Sequence, residues 1–209
     1  SNKDLMKGKN FPNRSGWSAK YWSPIQAAEH LVTRQTGALF DITGFVKIEV
    51  NGKGALGLLQ KICTNNIDIP VGKVVYSVIS SIYGGIKSDL TISRLEENKF
   101  WVLAGAGNGM IDISWLKQNS PEDGSVNIID WTSAYAGIGL WGPNSRKVLQ
   151  SLCEDDDVSN EAFPFFTIKN ISISHIPCVA VRISYIGELG WEIYTPTEYG
   201  LSLWDELKN

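Results

Sequence analysis

The spacing of apolar residues along the chain alternates between the two-residue period of strands and the three-to-four-residue period of helices. Alternation bounded by glycine or polar turns predicts strands at residues 38–42, 46–50, 73–82, 88–95, 100–104, 126–129, 136–141, 167–175, 178–186 and 191–195. Helical spacing predicts helices at residues 24–37, 55–63, 109–118, 143–153 and 197–208. Residues 1–23 are polar with a few aromatic side chains, and we interpret them as a lead-in segment that lies across the surface.

One pattern of strand, glycine turn and helix occurs twice. Residues 48–63 align with residues 138–153 at a constant offset. The matching positions are Gly52 and Gly142, Leu59 and Leu149, Gln60 and Gln150, and Cys63 and Cys153. The repeat predicts an α+β fold of two related halves, each a helix-backed antiparallel sheet, at residues 24–134 and 135–209. A ligand site is expected where the two halves meet.

Composition and charge exclude several classes of partner. The formal net charge is -3 and the isoelectric point is near 5.4, so the chain has no basic field for nucleic acid or an anionic membrane. No apolar run approaches the roughly 20 residues that span a bilayer. Cys63, Cys153 and Cys178 are far apart, and His30 and His175 share no ligand spacing with them, so we expect no metal site. The cysteines are interpreted as reduced thiols, which indicates the cytoplasm, or the mitochondrial matrix in a eukaryote.

A glycine-rich loop after the fifth predicted strand allows a dinucleotide-binding interpretation. The strand at residues 100–104 leads into Gly105 and Gly107, then a helix, then a strand that ends at Asp130. This order imitates the fingerprint in which glycines approach a pyrophosphate and an acidic residue binds a ribose hydroxyl. The third glycine of the pattern falls on Met110, whose side chain would block close packing of the helix on the strand. Nucleotide binding stays open as an alternative to an ordinary glycine-rich loop.

A carboxylate stands at the start of one predicted strand. Gly84 and Gly85 form a turn, and Asp89 follows shortly after it. Such an arrangement can present a carboxylate at a strand end, facing a cavity. From this motif alone, a solvated or capping aspartate is the more common explanation.

Aromatic and acidic residues cluster around a predicted turn at residues 187–190. Alternation places Arg182 and Tyr185 on opposite faces of the strand before the turn, and Trp191 and Glu192 on opposite faces of the strand after it. The cluster suits a flat heterocycle, because a glutamate can accept the N–H groups of an aminopyrimidinone edge while aromatic rings stack on it. An ordinary hairpin with a polar outer face is the alternative.

Five segments together resemble the glycine-cleavage T-protein family of aminomethyltransferases. Within that family the chain is most similar to the folate-binding C-terminal region of dimethylglycine oxidase, dimethylglycine dehydrogenase and sarcosine dehydrogenase. The segments follow the family's order between residues 17 and 208, and they are residues 21–29, 40–43, 84–90, 138–143 and 182–194. The resemblance implies the aminomethyltransferase folate-binding fold, with tetrahydrofolate as the cofactor.

The resemblance also implies roles for five residues. Asp89 matches the family's essential carboxylate, which lies beside the folate amines, stabilises a cationic iminium and transfers a proton. Tyr76 matches a folate-contacting tyrosine. Tyr185 and Glu192 match the pterin contacts, with Glu192 accepting N–H groups, and Phe45 matches an apolar residue that lines the folate site.

Two departures from the family pattern refine the expected function. Gly105 stands where the glycine-cleavage members carry an asparagine near the catalytic carboxylate, which favours the amine-oxidase-linked reaction over the lipoyl-linked one. The family continues past Asn209 with an arginine-bearing segment and a C-terminal β-barrel that are missing here, and the sequence starts at Ser1 without a methionine. We therefore expect a fragment of a larger protein, with FAD bound only in a missing N-terminal region.

The expected function is that of a tetrahydrofolate-binding one-carbon transferase module that forms 5,10-methylenetetrahydrofolate. Its donor would be a small amine-derived one-carbon compound, and its parent an FAD-dependent oxidoreductase of N-methylated glycines whose flavin domain it contacts. Glycine-cleavage aminomethyl transfer and methyl transfer from a sulfonium are alternative reactions. A non-catalytic folate-binding scaffold is a further alternative, although such relatives carry a cysteine-bearing motif at the turn where this chain has residues 185–190.

Overall fold

Ten strands and six α-helices make up residues 2–208, the part of the chain that the computed structural model describes. The strands are β1 (Ala38–Asp41), β2 (Val46–Asn51), β3 (Val74–Ser80), β4 (Ile86–Glu96), β5 (Lys99–Ala104), β6 (Asn127–Asp130), β7 (Tyr135–Trp141), β8 (Ile168–Ile173), β9 (Ile176–Val181) and β10 (Gly190–Pro196). The helices are α1 (Gly16–Tyr21), α2 (Pro24–Gln35), α3 (Ala55–Ile62), α4 (Gly109–Asn119), α5 (Ser145–Leu152) and α6 (Gly200–Lys208). Short 3₁₀ turns cover Asn2–Met6, Ala106–Asn108 and Thr197–Tyr199.

The strands form two five-stranded sheets, and the named strands pair antiparallel throughout residues 2–208. Sheet I has the order β3-β4-β5-β2-β6, and sheet II has the order β1-β7-β10-β9-β8. The predicted α+β fold with helix-backed antiparallel sheets is confirmed.

Each sheet carries its helices on the face that points away from the other sheet. In sheet I, Val46, Ile48 and Val50 alternate along β2 into a core that α3 and α4 cover. In sheet II, Trp191 and Ile193 point from β10 into a core that α5 and α6 cover. The two-residue period of the strands therefore leaves the intervening side chains of each sheet facing the other sheet.

The inner faces of the two sheets meet in a third apolar cluster. Val74 and Trp101 come from sheet I, and Trp141, Val181 and Tyr194 come from sheet II. All five side chains are buried, and burying one large apolar side chain contributes roughly 2 to 3 kcal/mol. This cluster holds the inner faces together, and polar residues that share those faces lie close to the contact.

The predicted repeat is present as β2 followed by α3 and β7 followed by α5. Gly52 and Gly142 occupy the two turns with φ angles of 111° and 137°, which residues with side chains rarely adopt. A Cβ atom would lie 2.3 Å from the Ser125 carbonyl oxygen at the first turn and 2.3 Å from the Gly37 Cα at the second. Both turns therefore need glycine for conformation and for space.

The strand predicted at residues 178–186 ends at Val181. The Ile183 N–H donates to the Val181 carbonyl at 3.0 Å, and this tight turn takes the chain out of the sheet. The prediction that Arg182 and Tyr185 occupy opposite faces of one strand is therefore wrong, because both residues lie beyond the strand end. The lead-in segment also contains α1, a helix that the spacing did not predict.

Strand β1 pairs with a sheet that lies far along the chain. It precedes β2 of sheet I, yet it pairs along its whole length with β7 of sheet II. The chain therefore crosses between the sheets at residues 42–45 and again at residues 131–134. The limits proposed for the halves, residues 24–134 and 135–209, stay a prediction, with β1 contributing to the sheet of the second half.

The dinucleotide-binding alternative requires β5 and β6 to be adjacent and parallel around a crossover helix. Strand β2 lies between them and is antiparallel to both. Gly107 lies in the 3₁₀ turn Ala106–Asn108, Gly105 is the residue just before that turn, and Asp130 accepts the Thr132 N–H at 2.9 Å. The alternative is wrong, because these segments do not build the parallel unit whose glycine loop cradles a pyrophosphate.

Candidate functional site

Four of the predicted site residues lie at one end of sheet I. The last paired residue of β5 is Ala104, which lies opposite both β2 and β4. Asp89, Phe45 and Gly105 each stand one residue beyond that pairing, and Tyr76 lies on the neighbouring strand β3. The antiparallel register thus gathers residues from four separate stretches of the sequence.

The side chains of Tyr76 and Asp89 face sheet II. Val74, two residues before Tyr76, is buried between the sheets, whereas Val75 packs on the helix side of sheet I. Leu90, the neighbour of Asp89, also packs on the helix side. Since successive strand residues point to opposite faces, Tyr76 and Asp89 project from sheet I toward the space between the sheets.

Tyr76 and Asp89 form a hydrogen-bonded pair. The Tyr76 hydroxyl donates to Asp89 Oδ2 at 3.0 Å. This bond raises the pKa of the Tyr76 phenol, because loss of its proton would place two negative charges side by side. Tyr76 is 48% exposed and Asp89 is exposed, so a ligand can reach both. Among the side chains of residues 4–208, no other one donates a hydrogen bond to this carboxylate, which leaves Oδ1 available.

A buried acid lies on the opposite side of β4 from Asp89. Asp112, in the first turn of α4, is 1% exposed and accepts a hydrogen bond from Ser88 Oγ at 3.0 Å. Burial raises the pKa of Asp112, and the charge of Asp89 adds to the increase. The bond ties the first residues of β4 to α4. Sequence reasoning missed Asp112, although an acid in the first turn of a predicted helix is a visible signal.

Glu192 provides a buried carboxyl group on the inner face of sheet II. Its neighbours Trp191 and Ile193 point to the helix side, so Glu192 and Tyr194 point toward sheet I. The Tyr194 hydroxyl donates to Glu192 Oε2 at 2.7 Å. Burial raises the pKa of Glu192, and the bond from Tyr194 opposes that increase. A buried carboxyl group of this kind is suited to accept N–H groups of a ligand that replaces its lost hydration.

Aromatic rings hold Tyr194 in place. Trp101 of sheet I meets the Tyr194 ring edge-on with the ring centroids 6.0 Å apart, and Tyr135 meets Trp101 at 5.0 Å. On the other side, a Cβ atom at Gly137 would lie 2.9 Å from Tyr194 Cε1. The ring therefore lies directly over a strand position that has no side chain, and its hydroxyl is fixed on Glu192.

Tyr185 lies on the loop between β9 and β10, and it is 85% exposed. Arg34, near the end of α2, holds this loop through Nη1, which donates to the Ile186 carbonyl and to Glu188 Oε1, both at 2.8 Å. Tyr185 thus extends from a loop that is anchored beside it. Arg34 is a second residue that sequence reasoning missed, because a basic residue near a helix end gives no sign of a partner so far along the chain.

Phe45 lies in the crossover between β1 and β2. It is half-buried against the cluster between the sheets, and its N–H donates to the Ile42 carbonyl at 2.9 Å. Its own carbonyl accepts a hydrogen bond from Lys47 Nζ at 2.9 Å. Lys47 is fully buried and was also missed, since a lysine alternating with apolar residues on a strand usually indicates an exposed face.

A cavity of about 410 Å³ lies between the sheets at the end of β4 that is far from Asp89. Trp101 and Tyr135 contribute to its wall, together with Glu49. The Glu49 carboxylate is already bonded to Asn51 Nδ2 at 2.6 Å and paired with Lys99 Nζ at 3.5 Å. This cavity is separate from the Asp89 end. Glu96, the second carboxylate in its wall, is paired with Lys99 Nζ at 3.7 Å.

The cysteines lie in the helix-backed cores of the two sheets. Burial raises the pKa of Cys63 and Cys153 to about 11 and that of Cys178 to about 12, so all three remain protonated thiols at neutral pH. Within residues 2–208, no group of three or more His, Cys, Asp and Glu side chains is arranged to hold a metal ion. None of the helices described here is long and apolar enough to cross a membrane.

Comparison with known families accounts for this arrangement of two sheets. The family model of the GCVT N-terminal domain matches residues 4–209. The chain belongs to this family. The domain is the tetrahydrofolate-binding domain of its family, and the predicted resemblance to aminomethyltransferases and dimethylglycine dehydrogenases is confirmed.

The similar curated proteins are considerably longer than this chain. Human mitochondrial dimethylglycine dehydrogenase is 31% identical over 203 residues, which are 97% of this chain and 23% of that protein. An aminomethyltransferase of Symbiobacterium thermophilum is 33% identical over 209 residues, which are 97% of this chain and 55% of that protein. The chain thus spans about a quarter to about half of the length of these relatives.

Solved structures show the same fold. The glycine cleavage system aminomethyltransferase T of Bartonella henselae superposes with a TM-score of 0.75 at 27% identity, covering 86% of this chain and 47% of that one. The heterotetrameric sarcosine oxidase of Corynebacterium sp. U-96 superposes with a TM-score of 0.65 at 17% identity, covering 82% of this chain and 81% of that one. The second similarity extends the fold to an amine-oxidising assembly.

Proposed function

We propose that this domain is a tetrahydrofolate-binding one-carbon transferase module that forms 5,10-methylenetetrahydrofolate. The observation that carries the proposal is the orientation of two carboxyl groups. Asp89 at the open end of sheet I and Glu192 on sheet II both project into the space between the sheets. Asp89 is exposed, so a one-carbon donor can reach it. Glu192 is buried, which suits it to recognise the N–H groups of a bound ligand.

Glu192 is proposed to recognise the pterin. Its Oε2 is held by Tyr194, and Oε1 can accept N–H groups from the aminopyrimidinone edge. Tyr185 would contact the pterin from the anchored loop, and Phe45 would supply an apolar wall. Tyr76 would contact the folate while it orients Asp89.

Asp89 is proposed as the catalytic carboxylate. With Oδ2 held by Tyr76, Oδ1 can lie against a cationic iminium donor and lower the energy of its positive charge. The same carboxylate can accept the proton that the first folate amine loses when its nitrogen bonds to the one-carbon unit, and can return it to the donor nitrogen. The donor then leaves as a neutral amine when its bond to carbon breaks, and the second folate nitrogen closes the methylene bridge with loss of its own proton. Gly105 beside Asp89 leaves the neighbouring space open, because a Cβ atom there would meet no heavy atom within 4 Å.

The donor is proposed to be an N-methylated glycine that has been oxidised to its iminium. The similarity to human dimethylglycine dehydrogenase supports this donor, as does glycine rather than asparagine at position 105. The oxidation would take place in an FAD-dependent part of a longer parent protein whose flavin domain contacts this module, in the cytoplasm or the mitochondrial matrix.

Aminomethyl transfer in glycine cleavage is the second candidate. The similarity to the Symbiobacterium aminomethyltransferase and to the Bartonella structure favours it. The two candidates share the folate site and differ in the donor. Supplying the longer parent with either dimethylglycine or an aminomethylated lipoyl carrier protein, and measuring methylenetetrahydrofolate, would distinguish them. A scaffold without catalytic function would bind folate and use neither donor.

Folate binding can be tested directly on the 209-residue chain. Folinic acid at 100 times its dissociation constant should stabilise the native state by about 2.7 kcal/mol, which raises the melting temperature by roughly 5 to 10 °C. Glu192→Gln, which keeps the volume but loses a charge and an acceptor, should reduce the shift. Glu198→Gln, at an exposed position, should keep the full shift. A folded wild-type sample that shows no shift at saturating folinic acid would contradict the proposed function.

A further inference from the structure

Lys47 is a charged residue in the interior of the molecule, on the inner face of sheet I. Its neighbours Val46 and Ile48 point to the helix side, so the lysine points toward sheet II. The side chain has an exposed fraction of 0%. Burying a lysine without full hydrogen bonding costs several kcal/mol, so its partners must be unusually favourable.

Three main-chain carbonyl groups surround the ammonium group. Lys47 Nζ donates to Thr43 O at 2.8 Å, to Phe45 O at 2.9 Å and to Thr132 O at 3.2 Å. Thr43 and Phe45 belong to the first crossover between the sheets, and Thr132 belongs to the second. A protonated lysine has three N–H donors, so each donor has one carbonyl partner. One side chain thus fixes both segments that connect the two sheets.

The same ammonium group lies beside the recognition side of the site. Nζ is 5.9 Å from the centroid of the Tyr194 ring, a distance typical of a cation–π contact, and Tyr194 in turn holds Glu192 Oε2. The Lys47 main chain also binds the second crossover, because its N–H donates to Thr132 Oγ1 at 3.2 Å. Lys47 therefore contacts the Phe45 crossover on one side and the Tyr194–Glu192 pair on the other.

We propose that Lys47 is a positioning residue of the folate site, whose ammonium group sets the placement of Phe45 and Glu192 relative to each other. The proposal rests on the proposed function. Lys47 acts through the Phe45 carbonyl and the Tyr194 ring, and not through contact with the reacting atoms.

The charge of Lys47 changes near physiological pH. Burial lowers the pKa of Lys47 to about 8, while Asp130 on β6 and Asp41 on β1 oppose that decrease. Hydrogen bonds from Thr132 and Thr43 lower the pKa of Asp130 and of Asp41 respectively, so both acids stay ionised above neutral pH. Burial raises the pKa of Tyr194 and of Glu192, the two titratable groups on β10 that point toward sheet I.

Loss of the proton leaves Lys47 with two N–H donors for three carbonyl groups and removes its attraction to the Tyr194 ring. If only the charged form organises the site, the affinity for folate follows the fraction of charged lysine. With a pKa of about 8, the apparent dissociation constant should be about tenfold higher at pH 9 than at pH 7.

Calorimetric titration of the 209-residue chain with folinic acid at pH 7 and pH 9 tests the proposal. Wild type should bind about tenfold more weakly at pH 9. Lys47→Met, of similar length and without donors, should bind weakly at both pH values and with no pH dependence. Lys61→Met, an exposed position on α3, should reproduce the wild-type profile.

Two results would overturn the proposal. One is a Lys47→Met variant that is folded by circular dichroism and binds folinic acid with the wild-type affinity and pH profile. The other is a wild-type dissociation constant for folinic acid that is the same at pH 7 and pH 9. This result overturns the proposal even if the Lys47→Met variant does not fold. Absence of any binding by folded wild type at pH 7 would instead remove the proposed function, and this proposal with it.

Discussion

At the residue scale, the site is defined by the oxygen atoms that remain available to a ligand. Tyr76 occupies one oxygen of Asp89, and Tyr194 occupies one oxygen of Glu192. Each tyrosine orients its carboxyl group by bonding to one oxygen, and it leaves the second oxygen of that group free to bind a ligand. The two pairs differ in burial, since the first is open to solvent and the second is enclosed. This difference fits the proposed roles, in which the exposed Asp89 transfers a proton and the buried Glu192 recognises the pterin.

Replacement of Asp89 tests its proposed catalytic role. In a longer parent that includes the amine-oxidising part, Asp89→Asn should lower the rate of methylenetetrahydrofolate formation by about 100-fold to 10,000-fold, because a neutral amide cannot take the proton or stabilise the cation. Oxidation of the amine should continue at the wild-type rate. Asp205→Asn, an exposed aspartate on α6, serves as the matched control. An unchanged yield in Asp89→Asn would remove Asp89 from the catalytic role.

At the scale of elements, the site depends on how strands end and how the chain crosses between sheets. Phe45 and Gly105 lie one residue beyond the ends of β2 and β5, and Asp89 lies one residue beyond the last pair of β4 with β5, on the part of β4 that pairs only with β3. Hydrogen bonds anchor two of the segments that carry site residues. Ser88 with Asp112 fixes the start of β4, and Arg34 fixes the loop that carries Tyr185.

The second glycine turn of the repeat should be intolerant of a side chain. Gly142→Ala places a Cβ 2.3 Å from the Gly37 Cα and 2.8 Å from the Thr33 carbonyl oxygen, at a φ of 137°. We expect it to lower the free energy of unfolding by about 3 kcal/mol or more in urea titrations.

Gly57→Ala is the matched control for that substitution. Gly57 lies within α3, and a Cβ there would meet nothing within 4 Å. Alanine at this position should raise the free energy of unfolding by about 0.5 to 1 kcal/mol, because alanine has the higher helix propensity. Equal effects of the two substitutions would show that the turn at Gly142 is not conformationally constrained.

At the scale of the whole molecule, both helix-backed cores contain thiols that must stay neutral. The pKa of Cys63 rises from 9.0 to about 11 on burial, so its contribution to stability is complete below pH 9 and is lost between pH 9 and pH 11. Unfolding at alkaline pH should therefore become easier as the unfolded chain releases these protons.

A cysteine variant isolates this contribution. Between pH 9 and pH 10, wild type should lose about 1 kcal/mol more unfolding free energy than Cys63→Ala, as measured by urea titration at each pH. Taking the difference between the two proteins cancels the opposite contribution of Lys47, whose lowered pKa acts in both. Parallel pH profiles for the two proteins would contradict the buried neutral thiol.

The sequence pattern predicted most elements because their spacing is local. The hairpin from β4 to β5, helices α2 and α3, and the β2–α3 and β7–α5 repeat all follow from periods of two or of three to four residues. The end of β9 could not be predicted, since apolar alternation continues past Val181 while a single hydrogen bond from Ile183 turns the chain away. A local sequence pattern indicates which face of a strand a residue prefers, but it does not indicate where the pairing of two strands ends.

The sequence by itself determined the fold class, the duplicated unit and the motifs that contain Asp89 and Glu192. Only the tertiary structure decided that β1 joins the distant sheet and that Tyr76 bonds Asp89. It also decided that Lys47 is buried between the two crossovers. The physical reason is that strand register and burial arise from partners far apart in the chain, and a local sequence pattern carries no information on those partners.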